Sequence, residues 1–320
     1  MMNSRFLIFI FAIATFAPLH AVAAEWPDRP IHFIVPFPAG GSTDICARII
    51  GDALSRSLGQ QVFIENKSGA NGTTGMEAAA ASAPDGYTFL VAIDVTSNPH
   101  VYKMNVDVLN DLAPVMQLSS QPMVLAAHPS LGVKSIAELV ALAKQQPGMG
   151  FATGSGFGST QAMVGLWFAQ IAGIKLEQIP YRGGGQAISD LVAGNVKLGS
   201  LGSSPLIPYY KTGGLLLLAQ STQTRSPALP DVPTFEEAGI HGLVLDQWVG
   251  VFAPAKTPPE ITTRLAAEIG TALADPAVRE RLQKSGQDPA TRTTEQFRQY
   301  VREEFDKYGR LVKDLHIQVN

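Results

Sequence analysis

From residue 31 onward, apolar runs of strand length alternate with amphipathic stretches of helical period. "IHFIVPF" precedes "ICARIIGDALSRSLG", in which Ile45, Ile49, Ile50, Ala53, Leu54 and Leu58 recur every 3.6 residues. Gly59 stands where a helix C-cap is expected. "QVFIEN" reads as the next strand, "GANGTTGMEAAAASA" as the next helix and "YTFLVAI" as a third strand. The middle of the chain repeats the alternation, with "PMVLAAHPS", "GFATGSG", "LEQIPY", "VKLGSL" and "LLLLAQS" as strands. Between them, "SIAELVALAKQQPG", "STQAMVGLWFAQIAG" and "GQAISDLVAGN" read as helices. Beyond "WVGVFAPAKTPPE" the chain is nearly all helical, and its two long amphipathic stretches are expected to pack back onto an earlier sheet. Such alternation predicts parallel strands with crossover helices, an α/β architecture.

The first 24 residues break this pattern. One Arg, a continuous apolar stretch from Phe6 to Phe16 and the small-residue exit Val22-Ala23-Ala24 form the three regions of a secretory signal. The apolar stretch is about half the ~20 residues that a membrane span needs. The mature chain is therefore expected to be soluble and outside the cytoplasm, and the resemblance given below implies the periplasm. Its remaining length suits two lobes rather than one core. Without the leader's single Arg there are 23 basic side chains against 27 acidic, and no basic run. That balance argues against nucleic acid and against an anionic membrane surface. Cys46 stands alone, so no internal disulfide is available, and its helical position suits a small apolar side chain better than a reactive thiol.

Two strand-to-helix turns carry the candidate chemistry. "FPAGGSTD" opens one helix and "TGSGFGST" opens another, each at the carboxyl end of an expected parallel strand, where open α/β sheets bind ligands. The first amide groups of a helix lack intrahelical partners, and the aligned peptide dipoles favour an anion there. Gly40 and Gly41, with Gly154, Gly156 and Gly158, let the main chain approach a ligand closely. Ser42, Thr43, Ser159 and Thr160 supply hydroxyls. Two such turns facing each other would hold a carboxylate without Arg or Lys. The same residues also serve as ordinary N-caps and turn punctuation. Asp44 would repel a carboxylate on the same amides; either it turns away as a cap or it meets a donor group on the ligand.

Enzyme motifs are absent. "GSGFGS" lacks the spacing of a dinucleotide fingerprint, and there is neither a phosphate-binding G-x-x-x-x-G-K-[ST] nor a G-x-S-x-G elbow. His32, His100, His128, His241 and His316 are scattered, with no spacing that suggests a metal. The expectation is a binding protein with no catalytic residues, no metal and no cofactor.

The chain resembles the periplasmic substrate-binding proteins of tripartite tricarboxylate transporters, the Bug-type receptors. The resemblance runs over residues 25–320, through "WPDRPIHFIVPFPAGGSTDICAR", "GQQVFIENKSGANGTTG", "APDGYTFL", "KSIAELVALAKQQPG", "IPYRGGGQAISDLVAGNV", "SPALPDVPTFEEAG" and "GVFAPAKTP". It implies a two-lobed, type II-like periplasmic binding fold with a ligand cleft between the lobes. Lobe I would comprise 25–124 and 250–320, and lobe II 125–249. It further implies a small carboxylate held by two βα loops, which match Phe37, Ala39, Gly40, Gly41, Ser42, Thr43 and Asp44 on one side. On the other side they match Gly154, Ser155, Gly156, Gly158, Ser159 and Thr160. Thr96, Tyr181 and Arg182 join the candidate set, Arg182 as the nearest cation. Implied partners are the integral-membrane permease subunits, with the receptor itself a monomer. Two stretches depart from the family: "AIDVTSNP" is short, and "VKLGSLGSS" lacks an acidic residue near Leu201. Rival readings are a secreted hydrolase or lyase using Asp44 with Ser42 or Ser159, and a ligand sensor feeding a membrane signalling partner.

Overall fold

The computed structural model describes residues 26–317; the expected leader, 1–24, lies outside the described residues. The first sheet is built by β1 (Ile31–Val35), flanked in parallel by β2 (Val62–Asn66) and β3 (Thr88–Ala92). Ile31, Phe33 and Val35 are wholly buried, as expected of an interior strand covered on both faces. Helix α1 (Ser42–Leu58) covers one face, ending at Gly59 in the left-handed conformation as the sequence predicts. Helix α2 (Thr73–Ala80) covers the other, after a short 3₁₀ turn.

The expectation of parallel strands alone needs correction at β4 (Leu112–Ala127), which spans 16 residues. Up to Pro122 it runs antiparallel to β9 (Asp246–Pro254), which in turn joins β3. From Met123 onward it pairs instead with β7 (Leu198–Gly202) and β8 (Leu216–Gln220). The second sheet continues in parallel through β5 (Met149–Thr153) to β6 (Leu176–Pro180). The hydrophobic pattern shows only the end of β4, because Pro114, Gln117, Ser119, Ser120, Gln121 and Pro122 interrupt its first two-thirds. Gln117, Ser119 and Gln121 are nevertheless buried, and each is hydrogen-bonded, so polar groups stand where the pattern expects apolar ones.

Helices α3 (Ile136–Gln145) and α4 (Thr160–Ala172) cover one face of the second sheet, and α5 (Gly184–Val192) with α6 (Ile207–Lys211) the other. The C-terminal helices return to the first sheet. The stretch read as one helix from residue 260 is two, α7 (Pro259–Ala274) and α8 (Pro276–Lys284), because Asp275 caps the second and Pro276 cannot continue the first. A two-residue strand, β10 (Asp288–Pro289), adds to β4 before α9 (Thr294–Asp314). Helix α9 starts in the first lobe's core, with Phe297 and Val301, and ends in the second's, with Tyr308, Leu311 and Val312. Beta strands β4 and β9 and helix α9 therefore cross between the lobes. Among the described residues no helix is long and apolar enough to cross a membrane.

Candidate functional site

The lobes meet along three strand-to-helix turns rather than the two expected. The β1–α1 turn lies against the β6–α5 turn, where a side chain on Gly183 would run into Pro38 and Gly184 sits over the Cα of Gly41. Gly154, from the β5–α4 turn, packs so close to the backbone of Gly183 and Gly184 that no Cβ fits. Between these turns is a narrow cavity of about 450 Å³ of interatomic space, of which only about 30 Å³ takes the centre of a water. Phe37, Gly41, Ser42, Thr43, Asp44, Gly154 and Ser155 line it, as the sequence reading expects. Its remaining walls include Gln161, Gly184, Leu201, Gly202 and Gln247, which that reading did not name.

The first turn leaves the start of α1 without a side-chain cap. Gly40 adopts φ +86°, a conformation that costs a side-chain-bearing residue strain, and its N–H donates to Asp44 Oδ2 at 3.0 Å. Gly41 is the N-cap of α1 and brings no side chain to satisfy the amides behind it. Asp44 is the cap that turns away. Its carboxylate accepts two hydrogen bonds from Arg48, at 3.0 and 2.9 Å, and one from Asn66 Nδ2 at 2.9 Å. Burial alone would raise this carboxyl, yet the bonds from Arg48, Gly40 and Asn66 outweigh it and hold it below its usual value. Of the two alternatives open for Asp44, the structure shows the cap: its carboxylate is paired with Arg48, and its oxygens also accept from Gly40 and Asn66.

The second turn departs further. The Thr160 amide, at the start of α4, donates to Asp94 Oδ1 at 3.2 Å, and the Thr160 hydroxyl donates to the same oxygen at 2.7 Å. A carboxylate of the protein, brought from the other lobe by the short loop after β3, thus occupies the anion site expected for a ligand. Asp94 is buried, and desolvation pushes it up to about 6, the Thr160 bonds offsetting only part of that. Tyr308 of α9 meets the Thr160 hydroxyl at 2.8 Å, tying in a third element. Ser159 caps α4 through the Ala162 amide. Gly158 has φ +79° and abuts Val101, so its missing side chain serves packing. In this structure Thr160 thus closes the lobes, Ser159 caps α4 and Gly158 serves packing. Thr96 is fully buried outside this cavity, its hydroxyl unpartnered.

Gly156 belongs to the lobe contact: its N–H donates to Asn71 Oδ1 at 2.5 Å, and Tyr102 donates to the Phe157 carbonyl nearby. Together with Tyr181 and Arg182 it lines an outer cavity of about 1070 Å³ of interatomic space, which shares Phe37 and Ser155 with the inner one. Arg182 is exposed there and contributes nothing to the inner walls. Gly40 lines a third space on the opposite side, and Ala39 is exposed beside it. Cys46 is an inert core thiol, as expected, pushed up to about 12 by burial.

Two buried polar groups on the inner walls have no protein partner. Ser155 is 3 % exposed and its Oγ is unbonded; Gln247 is 1 % exposed and its Nε2 is unbonded. Leaving such groups dry costs about 1–3 kcal/mol each unless something enters the cavity to meet them. With the free first amides of α1, they form a set of neutral donors converging on one space, suited to an anionic oxygen. Gln247 and its neighbour Gln121 escaped sequence reasoning. The signal was weak: Gln121 stands among Gln117, Ser119 and Ser120 in β4, and Gln247 beside Asp246 at the start of β9. Among the described residues no cluster of His, Cys, Asp or Glu is arranged to hold a metal.

Known proteins resemble this chain over most of its length. The family described as tripartite tricarboxylate transporter family receptor matches residues 46–317. Protein BugT of Bordetella pertussis is 36 % identical over 316 residues, covering 96 % of this chain and 95 % of its own. The solved structure of R. palustris Rpa4515 with adipate is 30 % identical, covers 92 % of this chain and all of its own, and superposes with a TM-score of 0.89. MatC (Rpa3494) from Rhodopseudomonas palustris with bound malate is 30 % identical over 90 % of this chain and all of its own, at a TM-score of 0.83.

Proposed function

The chain belongs to the tripartite tricarboxylate transporter receptor family, and from that premise we propose that it is a periplasmic receptor for a small organic carboxylate. The acid is held between the lobes and delivered to integral-membrane permease subunits. The observation that carries this reading is the pair of buried, unbonded donors, Ser155 Oγ and Gln247 Nε2, facing the same cavity as the free amides of α1. The adipate and malate of two solved relatives are both acids of this kind.

In this reading the carboxylate lies on the start of α1, with Ser155 closing on it from the second lobe. The lobe limits at 124 and 250 belong to the same proposal. They are supported by the exchange of β4 partners between Pro122 and Met123 and by β9 starting at Asp246. Closure is carried by Asp94 on Thr160 and by Asn71 on Gly156. The receptor acts as a monomer and without catalysis. Asp44 is tied to Arg48, no histidine lines the cavity, and the Ser159 hydroxyl caps α4, so neither Ser42 nor Ser159 is set beside a base.

A thermal-shift screen of the mature chain against mono-, di- and tricarboxylates, aromatic acids and amino acids tests this. A true ligand at a hundredfold its Kd adds about 2.7 kcal/mol of apparent stability and is recovered unchanged after prolonged incubation. Stabilisation by none of the acids, or their conversion to product, would overturn the reading.

A further inference from the structure

We propose that Gln247 is the residue that selects the ligand's polarity: it presents a hydrogen-bond donor to the cavity, and Gln121 with the Ser204 backbone locks it in that sense. The inference rests on the carboxylate-receptor reading above. The Ser204 amide donates to Gln121 Oε1 at 2.9 Å, and Gln121 Nε2 donates to Gln247 Oε1 at 2.6 Å. A backbone N–H can only donate, so Gln121 must turn its oxygen toward Ser204 and its NH₂ toward Gln247. Gln247 must then accept with its oxygen, which leaves its NH₂ for the cavity, where it is buried and unbonded. Neither amide is free to flip without setting two like groups against each other.

The fold makes room for this relay at one position. A Cβ on Gly202 would lie 2.7 Å from Gln121 Nε2, 2.8 Å from Gln247 Oε1 and 2.9 Å from Ser42 Oγ. Gln121 and Gln247 are cross-strand partners of β4 and β9, one step from where β4 exchanges lobes, and Ser204 comes from the second lobe. The relay therefore sets its polarity from the far lobe. A ligand group arriving at Gln247 must accept: a carboxylate or other oxygen is welcome, and an ammonium faces a buried donor with nothing to share.

The test is calorimetric titration of the mature chain with matched pairs in which an ammonium replaces one carboxylate. The pairs are succinate and β-alanine, glutarate and 4-aminobutyrate, and adipate and 5-aminopentanoate. The unaltered chain should prefer the diacid in every pair that binds. Gln247→Met should lower diacid affinity roughly tenfold to a hundredfold, the range for one lost bond to a charged group, and leave the amino acid unchanged. Gln247→Glu should reverse the preference. Gln121→Met, which alters no wall of the cavity, should release the lock and shrink the preference severalfold. Should Gln247→Glu not fold, the Met variants still decide the matter. If the diacid preference survives Gln247→Met, the inference is overturned and the receptor reading stands. If no carboxylate binds the unaltered chain, both fall.

Discussion

Replacing Asp94 with Asn removes a buried charge while leaving an oxygen to accept from Thr160. In the folded chain burial pushes the Asp94 carboxyl up to about 6, from an ordinary value of 3.8. The groups that face it are Thr160 at 2.7 Å, Tyr102, and Tyr308 beyond Thr160, with Glu304 behind that tyrosine. The native state therefore holds this proton more tightly than the unfolded state does. Stability from this group is full below about pH 4, declines as pH rises through about 6, and is level above that. A shift of about two units corresponds to roughly 3 kcal/mol, at 1.36 kcal/mol per unit. Asn cannot titrate, and about a third of that loss falls below pH 4.5, so the gap between Asp94→Asn and the unaltered chain should move in the variant's favour by about 2 kcal/mol between pH 4.5 and pH 8. In melting temperature the change is on the order of 5 °C for a chain of this size. Asp246, also pushed to about 6 by burial, leaves both proteins a residual slope of the same sign. Differential scanning fluorimetry across that pH range reads the gap directly. A gap that is constant with pH would refute the argument, because Asp94 would then not be a desolvated carboxyl that ionises in the folded chain.

Asp44→Asn should act in the opposite pH direction. Its carboxyl is held low, so the stability it contributes is present at neutral pH and lost as pH falls below about 4. The variant should melt lower at pH 7, by about 2 kcal/mol for a charge-assisted pair whose Arg48 end is half exposed, and the gap should close in acid. Gly41→Val should cost little in folding beyond about 1 kcal/mol for the lost N-cap, since Gly41 has φ −82° and nearly open space around its missing Cβ. Its branched side chain fills the cavity, so calorimetry should find carboxylate affinity lowered tenfold or more. Gly156→Val should instead loosen lobe closure, because its Cβ meets the Tyr102 hydroxyl; scattering should show a more open chain.

Most of the α/β frame was legible because each apolar run has one period and one cap. Gly59 and Ser159 mark helix ends where the structure places them. The crossing strands were not legible for the same reason that they matter. Gln117, Ser119 and Gln121 in β4, and Gln247 in β9, are buried and bond to one another, to Arg292 and Gln287 or to nearby backbone, with only Gln247 Nε2 left over, and a hydropathy pattern reads such residues as surface. At the site, sequence spacing identified the first turn well, since Gly40, Gly41 and Ser42 are consecutive and local. It paired the second turn with a ligand because nothing in the sequence says that Asp94, 66 residues before Thr160, folds onto the same helix start. Long-range polar pairing of this kind has no local signature.

The central claim is tested most directly by a crystal structure of the mature chain grown with the carboxylate that stabilises it most. The account predicts one carboxylate with oxygens at about 2.7–3.1 Å from the first amides of α1 and Ser155 Oγ, a second ligand oxygen at that distance from Gln247 Nε2, and Asp94 still on Thr160. A carboxylate seated on the Thr160 amide in place of Asp94, or on Arg182 in the outer cavity with the inner donors still unbonded, would contradict it.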